Sequence, residues 1–329
     1  MTAPDPAGSR AVFIGVHSAA ESLGLSALPA VERNLDSMRR LFTDGTVWTL
    51  PDEHCVSIRE PGYPHEVLAE VERAAAEATD TLLLYYAGHG LLVGDGQDLH
   101  LALRDVSWED DCLSYAKLRS RLRQGSRARR TVVILDCCYS GQALNGEMGS
   151  GGAEGESKEA RDERQVALQK ELATVVADKA DIEGVCVLTA SAATRKALSP
   201  VGEDYSAFTG ELIHVLSHGV LDGAEYLDMT AIYDAVTTRL AQRSGMPVPQ
   251  FGARGHGADI VLTRNQAHRA LESPTSGGIA ANAPGFAVPA PERGLPPVLA
   301  TYKGVEIRDR TVLLQFLQHL TLNEGNPDV

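Results

Sequence analysis

Two segments of this chain each join a short apolar run to a reactive side chain. Residues 81–90 read TLLLYYAGHG and residues 131–141 read TVVILDCCYSG. Apolar runs without polar alternation are typical of strands buried on both faces of a mainly parallel sheet. One run ends in the glycine-flanked His89, and the other ends in the adjacent thiols Cys137 and Cys138. Because reaction sites lie beyond the carboxyl ends of parallel strands, we expect His89 and one thiol to share one edge of the sheet.

Similar runs recur along the chain and alternate with segments of helical period. The predicted strands cover residues 11–16, 81–87, 131–135, 185–189 and 259–262. The predicted helices cover residues 31–42, 64–78, 115–122, 207–216 and 228–240. This alternation predicts an α/β domain over residues 11–265, with three layers in which helices flank a mainly parallel central sheet.

Composition and charge exclude several classes of protein. The chain has 329 residues, of which 43% are hydrophobic, so it can bury a sizeable core. Its net charge of −14 disfavours nucleic acid or anionic lipid as a main partner. No apolar run approaches the roughly 18 residues of a membrane span. The five cysteines are an odd number and include an adjacent pair, which argues against a disulfide-stapled secreted fold. We therefore expect a soluble, cytoplasmic protein.

Other segments depart from the α/β pattern. Residues 1–10 are predicted to be an N-terminal tail. Residues 145–183 form an insertion that starts glycine-rich and contains 10 acidic and 5 basic residues in all. Residues 266–298 are predicted to be a Pro-rich linker. Residues 299–329 are predicted to be a short C-terminal helical segment, with an amphipathic helix over 311–320 that docks on the main domain or recruits a regulatory protein partner.

A thiol and an imidazole at one sheet edge form a minimal acyl-transfer apparatus. The thiolate is the nucleophile, and a neighbouring imidazole accepts its proton. Gly90 has no Cβ, so its N–H can approach a substrate carbonyl and, with the N–H of the reacting cysteine, form an oxyanion hole. Each such donor contributes about 2.7–4 kcal/mol in well-studied hydrolases. Strand alternation sends Cys137 and Cys138 to opposite faces, so only one of them can meet His89.

These motifs resemble those of the caspase-like cysteine peptidases, the caspase, metacaspase and paracaspase group, in a bacterial, actinobacterial-type form. Residues 86–90 match a Tyr-x-Gly-His-Gly pattern, and residues 136–141 match an Asp-x-Cys-x-Ser-Gly pattern. His89 precedes Cys138 by about 50 residues, which is the caspase spacing. The resemblance implies the caspase–hemoglobinase fold, with Cys138 as nucleophile and His89 as base and acid. It also implies that a backbone carbonyl orients the imidazole.

The same resemblance implies a specificity pocket. Asp136 matches the metacaspase residue that favours Arg or Lys at P1, the substrate residue before the scissile bond, and a carboxylate can bind guanidinium bidentately. Metacaspases carry a second acid where this chain has Asn34, and Ser191 is a further candidate. With one carboxylate, Arg or Lys is favoured over a small or apolar P1 residue. Aspartate is disfavoured, because two carboxylates would face each other. Asp136 alone could instead cap the following turn.

Neither a cofactor nor a metal site is predicted. The acidic side chains with the chemistry of calcium ligands match no loop template; they are Asp95, Asp98, Asp105, Glu109, Asp110 and Asp111. A solvated acidic surface is the favoured interpretation. The remaining cysteines are interpreted as structural; they are Cys55, Cys112 and Cys186.

The predicted function is a cysteine endopeptidase that hydrolyses protein or peptide substrates. The insertion is a predicted regulatory loop, with Arg161, Arg164 and Lys170 as possible self-cleavage points. The resemblance implies a role in bacterial defence or cell death. Two alternatives remain open: a caspase-fold signalling or scaffold protein with little proteolytic activity, and a thiol acyltransferase.

Overall fold

The computed structural model describes residues 2–93, 98–137, 185–189, 202–243, 246, 249–254, 256–268, 300–302 and 305–307. The chain divides into two compact units, Met1–Pro274 and Thr275–Val329. The first unit carries the α/β domain. Within the described ranges, no helix is long and apolar enough to cross a membrane.

The described strands and helices follow the predicted alternation. The strands are β1 (Arg10–Gly15), β2 (Cys55–Arg59), β3 (Thr81–Ala87), β4 (Gly90–Val93), β5 (Asp98–Leu101), β6 (Leu113–Ser114), β7 (Arg130–Asp136), β8 (Val185–Thr189), β9 (Tyr226–Asp228), β10 (Gln250–Arg254), β11 (Val261–Arg264), β12 (Ala300–Tyr302) and β13 (Val305–Ile307). The helices are α1 (Ala30–Thr43), α2 (Pro64–Glu77), α3 (Tyr115–Arg123), α4 (Ala207–His218) and α5 (Met229–Ala241).

A six-stranded sheet forms the centre of the first unit. Its strand order is β10-β8-β7-β3-β1-β2. The five strands from β8 to β2 are mutually parallel, and β10 is the antiparallel edge strand. Parallel strands need crossover connections: α1 connects β1 to its neighbour β2, and α2 connects β2 to β3 on the other side of β1. The predicted mainly parallel sheet is therefore confirmed.

The helices cover both faces of this sheet because successive strand residues point to opposite sides. Phe13 of β1 packs with side chains of α1, α4 and α5 in one buried apolar cluster. Its neighbours Val12 and Ile14 pack with α2 and α3 in a second cluster on the other face. We call these the α1/α4 face and the α2/α3 face. Helix, sheet and helix make the three layers that the sequence predicts.

The predicted strand over 259–262 and the predicted C-terminal helical segment differ from the structure. Residues 259–262 do not add a strand to the central sheet. Instead, β11 pairs with β9 in a separate antiparallel sheet, and β10 occupies the edge. In the second unit, β12 and β13 form an antiparallel pair that the helical pattern did not predict. The helix predicted over 311–320 and the insertion 145–183 lie outside the described residues.

Candidate active site

The carboxyl ends of β3 and β7 lie side by side. Ala87, the last residue of β3, pairs with Asp136, the last residue of β7. One residue further, the N–H of Gly88 donates a hydrogen bond of 3.1 Å to the carbonyl oxygen of Asp136. His89 and Cys138 therefore each follow a paired residue by two positions. Cys138 lies outside the described residues, so its side-chain position stays a prediction.

His89 is held in one orientation by a backbone carbonyl. Its side chain is buried, and its Nε2 lies 2.7 Å from the carbonyl oxygen of Ser26. A carbonyl oxygen only accepts, so Nε2 carries the hydrogen, and Nδ1 is the basic nitrogen of the neutral ring. Ser26 has no side-chain signature for this role. The sequence motifs identified the imidazole but not the residue that orients it.

The turn that presents His89 depends on glycine at position 88. A Cβ there would lie 2.5 Å from the hydroxyl oxygen of Tyr86. That hydroxyl lies 2.9 Å from the carbonyl oxygen of His89 and 2.8 Å from that of Ala102, so its one hydrogen fixes the turn to the neighbouring segment. Ala102 N–H also donates to the His89 carbonyl, at 2.9 Å. Gly90 begins β4 directly after this turn, and its role in an oxyanion hole stays a prediction.

Asp136 lies buried on the α1/α4 face in a cluster of neutral donors. Its Oδ2 accepts hydrogen bonds from Ser206 Oγ, from Thr209 Oγ1 at 2.5 Å and from Asn34 Nδ2 at 3.3 Å. Its Oδ1 is buried and has no hydrogen-bond partner within the described part of the chain. Burial raises the pKa of Asp136, while the hydrogen bonds from Ser206 and Thr209 act in the opposite direction. One carboxylate oxygen is thus held by three donors, whereas the other has no hydrogen-bond partner among the described residues.

The donors come from two helices that meet above the end of β7. Asn34 lies on α1, Ser206 is the N-cap of α4, and Thr209 lies in the first turn of α4. Asn34 donates to Ser206 Oγ at 2.9 Å and accepts from Ser206 N–H at 3.2 Å. Thr209 Oγ1 also contacts the hydroxyl of Tyr85 at 2.8 Å. The predicted pair Asn34 and Asp136 are in contact, whereas Ser191 lies outside the described residues.

Replacing Ser206 by alanine is expected to destabilise the fold by more than the loss of a helix cap. Ser206 accepts from Thr209 N–H at 3.3 Å, and Ser114 caps α3 in the same way, accepting from Lys117 N–H at 3.4 Å. Loss of a serine cap costs about 1 kcal/mol. Ser206→Ala also removes a donor from a buried carboxylate, which adds about 1.5–3 kcal/mol.

Urea denaturation of Ser206→Ala beside Ser114→Ala measures this difference. Equal losses in the free energy of unfolding would mean that the Ser206 hydroxyl contributes only as a cap.

The described cysteines behave as structural residues. Cys137 is buried in the apolar cluster of the α2/α3 face, the side opposite Asp136. Burial is the main cause that raises the pKa of Cys55 to about 11 and that of Cys112 to about 12. These values keep both thiols protonated at neutral pH. The side chain of Cys186 lies outside the described residues.

Cys55 and Cys112 are accordingly expected to resist iodoacetamide at pH 7.5, since the thiolate is the reactive form. Peptide mass mapping after native and urea-treated labelling checks this. Modification of either thiol in the native protein, at the rate seen in urea, would contradict their burial.

No group of three or more His, Cys, Asp and Glu side chains in the described ranges is arranged to hold a metal ion. His214 and His218 lie one turn apart on α4 with ring centroids 4.3 Å apart, a pair that the sequence motifs did not bring out. Burial, more than the nearby Arg239, lowers the pKa of His214. That the reaction needs no metal ion stays a prediction.

Comparison with known proteins gives a family. A model of the caspase domain matches residues 9–256, about three quarters of the chain. Curated proteins gave no match. Among solved structures, the crystal structure of protein GSU0716 from Geobacter sulfurreducens is similar, with 20% sequence identity, a TM-score of 0.49, and coverage of 79% of this chain and 98% of that chain. On the domain match, the chain belongs to the caspase-domain family of cysteine peptidases.

Proposed function

We propose that the protein is an endopeptidase in which Cys138 attacks the scissile carbonyl and His89 transfers protons. The observation that carries this proposal is the register of β3 and β7. Since Ala87 pairs with Asp136, His89 and Cys138 follow paired positions by the same two residues. The hydrogen bond from the Gly88 N–H to the Asp136 carbonyl keeps the two segments adjacent beyond the ends of β3 and β7. A sulfur and an imidazole that follow the carboxyl ends of neighbouring strands by the same number of residues can reach the same scissile bond.

The proton transfers follow from the orientation of His89. Nε2–H stays bonded to the Ser26 carbonyl, so Nδ1 accepts the proton of the Cys138 thiol. The thiolate attacks the carbonyl carbon, and the oxyanion is stabilised by the N–H groups of Gly90 and Cys138. Nδ1–H then protonates the departing amine. In the second half, Nδ1 takes a proton from water and the hydroxide attacks the thioester. The sulfur leaves as thiolate and takes the proton back from Nδ1, which restores the thiol and the neutral imidazole.

Substrate preference is proposed to follow from Asp136. A guanidinium or ammonium group at P1 would supply the missing hydrogen bond to Oδ1 and neutralise the buried charge. The second pocket position holds Asn34, whose amide donates to Oδ2 and adds no charge. Of these two pocket positions, Asp136 alone can therefore carry a negative charge. Arg or Lys at P1 is the proposed preference, with small or apolar residues next.

A set of fluorogenic peptides that differ only at P1, carrying Arg, Lys, Ala, Leu or Asp, tests both proposals. Wild-type protein should cleave the Arg and Lys peptides fastest, and Cys138→Ala should cleave none. An electrophilic peptide should add one mass increment to the wild type, on Cys138. Absence of both turnover and labelling would favour a signalling or scaffold protein. Transfer of the acyl group to an amine instead of water would indicate an acyltransferase.

Regulation and biological role form a separate set of proposals. We propose self-cleavage in the insertion, at Arg161, Arg164 or Lys170, and a role in bacterial defence. A regulatory partner is proposed to bind residues 299–329. Intact-mass analysis of wild type beside Cys138→Ala tests self-cleavage, because masses that differ only by the substituted sulfur atom would exclude it. New protein N-termini that appear only with the active form would identify the substrates.

A further inference from the structure

The carbonyl that orients His89 belongs to a closed loop rather than to a strand or helix. Residues 17–28 connect β1 to α1 and contain Ser26. The loop is closed at its base, where the N–H of Leu28 donates to the carbonyl oxygen of His17 at 2.8 Å. The base is therefore one fixed point for the Ser26 oxygen, together with the buried side chains of Leu25 and Leu28.

The base of the loop is fixed by the carboxylate of Glu60. Its Oε1 accepts from the backbone N–H of His17 at 2.5 Å and from that of Ser18 at 3.3 Å. The same oxygen lies 2.7 Å from Nδ1 of His17. Its Oε2 accepts from the hydroxyl of Ser18. Both carboxylate oxygens of one side chain thus bind the first two residues of the loop.

The backbone of Glu60 supports a specific role for its side chain. Glu60 has φ = +50°, in the left-handed region that a residue with a Cβ rarely adopts. Its N–H donates to the carbonyl oxygen of Gly15 at 2.9 Å, which ties it to the end of β1. Glycine would fit this conformation better. Non-glycine residues in such conformations cluster at functional sites, where other contacts maintain them.

We propose that Glu60 is a positioning residue for His89. By binding His17 and Ser18, it holds the loop so that the Ser26 carbonyl keeps the hydrogen on Nε2 and leaves Nδ1 to face the nucleophile. The catalytic consequence rests on the proposed function. The effect on the imidazole does not, because the contacts of Glu60 with His17 and Ser18, and that of Ser26 with His89, are independent of any reaction.

Glu60→Gly is the informative variant, since it removes the carboxylate and relieves the backbone at the same position. The matched control is Asp222→Gly, at an exposed residue with φ = +58° in the loop after α4. Misplacement of a catalytic group by about 1 Å can cost about 10²-fold in rate. We expect Glu60→Gly to lower kcat by about 10- to 100-fold with KM within about threefold, and Asp222→Gly to leave both unchanged.

A second readout follows the imidazole directly. Long-range ¹H–¹⁵N correlation spectra distinguish the two neutral tautomers, and the His89 signals are assigned by their loss in His89→Gln. Wild type should show hydrogen on Nε2, and Glu60→Gly should show a mixture of tautomers. Glu60→Gln keeps one acceptor oxygen and should lie between the two. If Glu60→Gly does not fold, Glu60→Gln provides the same readouts.

A glycine variant with wild-type kcat and an unchanged His89 spectrum would overturn the proposal. So would a Glu60→Gln spectrum identical to wild type, should that be the only variant that folds. If the wild type itself has no peptidase activity, the proposed function fails, and the tautomer of His89 in the variants still decides whether Glu60 positions it.

Discussion

Replacing Cys138 by alanine is expected to abolish peptide cleavage, while Cys137→Ala keeps kcat within a few-fold of wild type. Cys138 is the proposed nucleophile, and loss of a single nucleophile or base costs on the order of 10⁶-fold in well-studied hydrolases. Cys137 lies buried on the α2/α3 face, away from Asp136. Its replacement removes one packed sulfur atom and costs about 1 kcal/mol of stability. Steady-state kinetics with the best P1 peptide and urea denaturation measure the two effects separately.

The reverse result would change both the assigned nucleophile and the assigned P1 pocket. If Cys137→Ala were inactive and Cys138→Ala active, the reacting sulfur would lie on the opposite face of the sheet from Asp136. Asp136 could then not line the P1 pocket, because a substrate chain cannot contact both faces of a packed sheet at this point. Both variants must be stable at the assay temperature, so each denaturation curve is also the control for its kinetic result.

The fold was predictable where burial leaves an uninterrupted apolar run. The strands β3, β7 and β8 were predicted for this reason, and the five helices lie within two residues of their predicted ends. The edge strands were missed. β2 is largely half-buried and includes Ser57 and Arg59, and β10 begins with Gln250 and contains Gly252. A strand with only one neighbour buries less surface, so its sequence carries a weaker apolar signal.

The candidate site was predictable only where a residue type carries the chemistry. His89 could be proposed because a glycine-flanked imidazole follows a buried strand, and Asp136 because it matches a position in the motif that the sequence resembles. Ser26 acts through its backbone, and any residue has a carbonyl. Ser206 follows Asp136 by 70 positions and reaches it only because α4 begins above β7. A serine before a helix predicts a cap, but not the carboxylate that shares its hydroxyl.

Asp136→Asn is expected to separate substrate preference from catalysis. Asparagine has nearly the same shape and still accepts from Ser206 and Thr209 through its Oδ1, but it has no charge to attract a basic side chain. A hydrogen bond to a charged group contributes about 1.5–3 kcal/mol. We therefore expect kcat/KM for Arg and Lys peptides to fall by about 10- to 100-fold, with Ala and Leu peptides within about threefold. An equal fall for all peptides would mean that Asp136 maintains the site and does not select P1.

Asp136→Asn should also gain stability relative to wild type as the pH rises. Burial raises the pKa of Asp136 above its ordinary value of 3.8, opposed by the hydrogen bonds from Ser206 and Thr209. A carboxyl with a raised pKa in the folded state releases its proton more easily when unfolded, so wild-type stability declines as the pH rises from about 3.8 through the raised value. Asparagine does not ionise, so the stability of Asp136→Asn does not decline with pH for this reason.

In urea denaturation, the stability of Asp136→Asn relative to wild type should therefore increase from pH 4 to pH 7. A difference that is constant with pH would show that Asp136 does not change its ionisation on folding, and the buried carboxylate would then need a compensating charge beyond the donors Asn34, Ser206 and Thr209.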